Sequence, residues 1–133
     1  IIKSSRGAAS GDLDGDGDID LVINNIDDRP TLLENTGRPT NHWLGVRCRG
    51  TKSNRDALGA IVTVRASGKT QRRRLRAGSS YASHSETVAR FGLGPATTVE
   101  ALTVQWLGGS EETFAVPGVD RVISVVEGEG KTQ

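Results

Sequence analysis

Apolar residues in this chain recur at every second position, and that period limits the fold more than any other feature of the sequence. "LGVRC" sets Leu44, Val46 and Cys48 on one face, and "AIVTVRA" does the same for Val62, Val64 and Ala66. "ALTVQW" aligns Leu102, Val104 and Trp106 against Thr103 and Gln105. No comparable stretch carries the 3.6-residue period of a helix, and the intervening segments are rich in Gly, Ser, Asn and Asp. "ASGKT" and "LGGSEE" read as hairpin turns in which glycine supplies positive φ. "RVISVV" is nearly continuous in apolar residues, the pattern of a strand covered on both faces. About seven strands are expected after residue 41, enough for a small antiparallel β-sandwich or barrel. Residues 1–40 supply only two or three, around 7–13, 21–24 and 31–35, a group that is marginal alone. The fold class is therefore all-β.

Charge divides the chain in two. Residues 1–40 hold eight Asp/Glu and four Lys/Arg, a balance of −4, whereas residues 41–133 hold eight and thirteen, a balance of +5. The change falls in the turn-rich stretch "NTGRPTNHW", which places a boundary between residues 1–40 and the rest of the chain. The absence of methionine is read as the mark of a piece of a longer protein. No apolar run approaches the roughly 20 residues of a membrane span, and no segment opens the chain like a signal peptide. The single cysteine, Cys48, shares its strand face with Leu44 and Val46 and reads as a core thiol.

The acidic surplus is concentrated in "GDLDGDGDID", where Asp12, Asp14, Asp16, Asp18 and Asp20 alternate along the chain. Two like charges 4 Å apart repel by about 1 kcal/mol even in water, so a cation among them is the economical explanation. Oxygen ligands at relative positions 1, 3, 5, 7 and 9, with glycine at 6, suit a hard cation. Here the sharp turn falls on Gly17; positions 1, 3, 5 and 9 would ligate through carboxylates and Asp18 through its backbone carbonyl. An EF-hand requires glutamate at position 12, where this chain has Ile23, and "IDLVIN" reads as a strand rather than a helix. Calcium fits better than zinc, since no His or Cys is close in sequence, and better than magnesium, which keeps several waters. The plain alternative is a solvated Asp/Gly turn.

"AASGDLDGDGDIDLVINN…LLENTG" resembles the FG-GAP/VCBS type of β-propeller repeat, whose loop D-x-D/N-x-D-G-x-x-D-L is matched through Asp12, Asp14, Asp16, Gly17, Asp20 and Leu21. Integrin α-chain propellers carry loops of this kind, and the resemblance implies a partial propeller blade with a structural calcium. "NHWLGVRCRGTKSNRDALGAIVTV", "GSSYASHSETVARFGLG" and "VEALTVQWLGG" together resemble the ASPIC/UnbV domain, which follows such repeats in the cartilage acidic protein-like family and in bacterial secreted proteins. The resemblance extends over roughly residues 41–127, which implies a tail at 128–133; His84 departs from the pattern, which carries glutamine in its place. The resemblance implies a secreted or periplasmic, extracellular, non-enzymatic module of the kind used in cell adhesion, with a protein or carbohydrate partner besides the rest of its propeller.

Other residues invite functional readings. Asn54, Arg55 and Asp56 could present a binding surface or simply bond neighbouring amides in a turn. His84 lies among Ser79, Ser80, Ser83 and Ser85, yet no nucleophile elbow or acid partner accompanies them. His42 beside Trp43 reads as a pair at the start of a strand. "QRRRLRAG" would set Arg72, Arg74 and Arg76 on one side of a strand, either as an anion- or partner-binding patch or as protection of an exposed edge. A nucleic-acid partner is not indicated, because the net charge is only +1 and Tyr81 is the one aromatic nearby. The leading reading is a calcium-binding interaction module; the alternatives are a metal-dependent hydrolase fragment and an architectural cap on a propeller.

Overall fold

A computed structural model describes residues 3–37 and 40–132. The fold is all-β, and the eleven strands among the described residues divide between two compact units. The first comprises residues 3–37 together with 77–86, and the second comprises 40–76 and 87–132. The strip 77–86, read from the sequence as part of the second segment, thus packs with the first.

In the first unit β1 (Ser5–Gly11), β2 (Asp20–Asn25) and β3 (Thr31–Leu33) form an antiparallel meander in the order β1-β2-β3. Asn25 closes the β2–β3 turn: its amide donates to the Arg29 carbonyl (2.7 Å) and the Thr31 hydroxyl (2.9 Å), while its oxygen accepts from Ser5 (2.9 Å). The outer edge of β1 is covered by the strip 77–86. Ala8 N–H donates to Ser80 Oγ and Ser10 N–H to Ser85 Oγ, both at 3.2 Å, and Glu86 N–H donates to the Ser10 carbonyl at 2.9 Å. A side chain on Gly7 would collide with the Tyr81 carbonyl and the Ser83 hydroxyl, so glycine is what permits this approach.

The second unit is a sandwich of two separate sheets. β4 (His42–Arg49) lies between β10 (Arg121–Val126), which runs parallel to it, and the antiparallel β7 (Val88–Gly94). The other sheet is antiparallel, in the order β11-β9-β8-β5-β6, built from β5 (Ile61–Ala66), β6 (Lys69–Arg74), β8 (Ala101–Gln105), β9 (Glu111–Phe114) and β11 (Lys131–Thr132). The inward faces are those the alternation marks: Leu44, Val46, Val62, Val64, Leu102, Val104 and Trp106 are buried, joined by Ala89, Phe91 and Leu93 of β7. Trp106 and Phe114 meet edge to face at 6.4 Å. The β5–β6 hairpin turns on Ser67 and Gly68, both at positive φ as a two-residue type I′ turn requires.

Two expectations are corrected. β10 is not covered on both faces. It is the edge of its sheet and pairs in parallel with β4, with Val125 buried and Val122 exposed. Eight strands rather than about seven follow residue 41, because Lys131 and Thr132 in the expected tail pair with β9. Of the two forms expected, sandwich and barrel, the structure has the sandwich, and no closed barrel forms among the described residues.

Candidate metal centre

The aspartate loop joins β1 to β2, and its conformation follows from its own composition. The carboxylates of Asp12, Asp14 and Asp16 each reach a backbone amide two to five residues on, the habit of Asp in turns. Asp12 accepts from Gly15 N–H (2.7 Å) and Gly17 N–H (3.2 Å). Asp14 accepts from Asp16 N–H (3.2 Å) and Asp16 from Asp18 N–H (2.8 Å). Gly15 and Gly17 both adopt positive φ, which lets the chain coil around Asp12. Asp20, the first residue of β2, is buried. Its two oxygens accept from Leu13 N–H and Asn35 N–H, both at 2.9 Å, and these amides, Leu13 first, hold the carboxyl below its usual range.

Carboxylate oxygens of Asp12, Asp14 and Asp20 come within 4.8 Å of one another. The structure therefore gathers three of the five aspartates into a group that could hold a metal ion. The Asp16 and Asp18 carboxylates stand outside that group; one oxygen of Asp18 lies 3.3 Å from where a side chain on Gly37 would begin. The donor set is all oxygen, which favours a hard cation over zinc or copper.

The other sequence motifs resolve as follows. Arg72 and Arg74 stand on the outward face of edge strand β6, Arg76 lies beyond its end, and Arg73 rests over the Phe91 ring at 5.7 Å. Asn54 forms a two-way bond with Leu58, accepting its N–H at 2.7 Å and donating to its carbonyl at 2.9 Å, as a turn residue does. The serines around His84 are engaged in structure: Ser79 and Ser85 hydroxyls meet at 3.0 Å, and Ser83 donates to the Tyr81 carbonyl at 2.8 Å. His42 Nδ1 sits 2.6 Å from Asp120, which also accepts from Trp43 N–H at 3.1 Å and ties the starts of β4 and β10 together.

Two carboxylates escaped the sequence reading. Glu127 is buried, and one of its oxygens accepts from the backbone N–H groups of Thr51, Lys52 and Ser53 and from the Ser53 hydroxyl, at 2.8–2.9 Å. Ser53 N–H contributes most, and together these donors outweigh burial and bring the carboxyl down to about 2. Glu112, also buried, accepts from Gly128 N–H and Gly130 N–H. No spacing signal marks either; the only hint is a glutamate closing an apolar strand just before "GEG".

Fold and site define a class: a two-sheet β-sandwich in a chain that also carries a β-meander with an oxygen-lined loop. Residues 50–132 match the ASPIC and UnbV family, and the chain belongs to it. Domains of this family are found in the C-terminal region of large propeller-type proteins. No curated protein matches the chain. Among the described residues, no helix is long and apolar enough to cross a membrane.

Proposed function

We propose that this chain is a non-enzymatic, calcium-stabilised interaction module from the C-terminal part of a secreted or periplasmic β-propeller protein. The convergence of Asp12, Asp14 and Asp20 carries the metal part of this reading. Asp16 completes the set from position 5 and Asp18 contributes its backbone carbonyl. Calcium tolerates such a ligand number and an irregular loop, whereas magnesium demands a tight octahedron. The ion's role is structural: it offsets the repulsion among carboxylates and fixes the β1–β2 connection.

The meander supports the propeller part. In the β2–β3 register, Leu21 opposes Leu33 while Val22 opposes Leu32, so apolar pairs stand on both faces of the sheet, and all four residues are exposed. A sheet apolar on both faces is one built to be covered on both, as a blade is by its two neighbours. The hydrolase alternative fares less well, because the serines near His84 are taken up in bonds within their strip and to β1.

The test is titration calorimetry with calcium and magnesium, paired with hydrogen exchange at the amides of Leu13, Gly15 and Gly17. Calcium is expected to bind in the weak extracellular range of about 10⁻⁴–10⁻³ M or somewhat tighter, and to slow exchange at all three amides. A chain that takes up no calcium, or that binds magnesium equally well, would overturn the assignment.

A further inference from the structure

We propose that the outer face of the five-stranded sheet is a docking surface for a linear anionic polysaccharide laid across the strands. The register sets one unbroken row over the whole sheet: Arg72 of β6 opposes Thr63 of β5, Thr63 opposes Thr103 of β8, Thr103 opposes Thr113 of β9, and Thr113 opposes Lys131 of β11. Directly paired residues share a face. The alternate positions Val62, Val64, Leu102, Val104 and Glu112 are buried, so this row faces outward. Three threonines in line are thus bracketed by a cation on each edge strand. Four strand spacings of about 4.8 Å separate the ends, a row of about 19 Å.

The chemistry of the row matches one kind of ligand. A sulfate or carboxylate is met by the forked donors of arginine or the ammonium of lysine. Threonine hydroxyls both donate and accept, as sugar hydroxyls do. A cleft of about 320 Å³ lies beside the row, lined by Thr63, Arg65, Thr70, Ala101 and Thr103, so the surface is indented where the central hydroxyls stand. Arg74 adds a further cation one step along β6. Of the acids nearby, Glu100 is held by Arg65 at 3.0 Å and Glu111 lies at the far end of the neighbouring row, which leaves the face cationic. No aromatic side chain stands in these rows, so bases would find nothing to stack on, and a single-stranded nucleic acid is the poorer occupant.

The inference rests on the reading of the chain as an interaction module and gives that module its partner. The experiment is salt elution of the full chain from immobilised heparin, with single-stranded DNA as competitor. Three double variants are compared: Arg72→Gln with Lys131→Gln, Thr63→Val with Thr103→Val, and an equal-charge control, Arg49→Gln with Arg55→Gln, all first shown to keep the wild-type melting temperature. The first is expected to lower the slope of log affinity against log salt by about two. The second is expected to weaken binding severalfold at unchanged slope, and the control to change little. DNA should compete poorly. Flow-through of the wild type, equal loss in the control, indifference to the threonines or effective competition by DNA would each overturn the proposal. The calorimetry separates the two readings: retention that depends on the row in a chain that takes up no calcium would sink the metal and spare the surface.

Discussion

Glu127 shows how much one side chain does in this fold. Its carboxylate organises residues 51–53 through four hydrogen bonds to a single oxygen. A carboxyl lowered from 4.5 to about 2 contributes stability that is complete above its unfolded value and disappears as pH falls from about 4.5 toward 2. The size of that shift corresponds to something on the order of 3 kcal/mol. Glu127→Gln is therefore expected to melt well below wild type at pH 6, with the gap closing as pH approaches 2; a gap independent of pH would mean that shape rather than charge matters. In the metal loop, Asp14→Ala deletes a gathered carboxylate and is expected to abolish calcium binding in calorimetry. Asp18→Ala keeps the backbone carbonyl and should leave most of it. Equal losses would refute the division of roles.

At the scale of elements, β1 depends on contacts from both sides. β2 supplies one ladder, while serine hydroxyls and the Glu86 amide of the strip 77–86 supply the other edge. At Gly7 the strip comes so near that any side chain would collide with it. Gly7→Val is expected to lift the strip from β1 and to hasten chymotrypsin cleavage after Tyr81, which is 71% exposed. Cleavage at the wild-type rate would show that β1 does not hold the strip. The strands of the second unit rest on a different balance, since β5 and β8 each bury one complete face.

For the whole molecule, the hydrophobic core among the described residues lies in the second unit, whereas the first buries polar and glycine positions and leaves Leu21, Leu32 and Leu33 exposed. Calcium binding to the folded first unit alone would stabilise it by about 2.7 kcal/mol at a hundredfold excess over Kd. Both tryptophans, Trp43 and Trp106, belong to the second unit. EDTA is therefore expected to leave the melt followed by tryptophan fluorescence unchanged while lowering the transition of the meander seen by hydrogen exchange. A fluorescence melt that moves with calcium would show that the units unfold as one. What the sequence by itself determined is the local part. Strand periodicity chose the inward residues Leu44, Val46, Val62, Val64, Leu102 and Val104, since a pleated strand turns alternate side chains to opposite faces. The spacing of the aspartates likewise placed an oxygen-lined loop between two strands. Only the tertiary structure decided which strands are neighbours: that β10 pairs in parallel with β4, that Lys131 extends the sheet, that 77–86 borders β1, and that Arg72, Thr63, Thr103, Thr113 and Lys131 share one row. Those pairings join residues up to some 80 positions apart, and hydrogen bonds between identical backbones carry no signature in the sequence. Burial of the whole core selects among them.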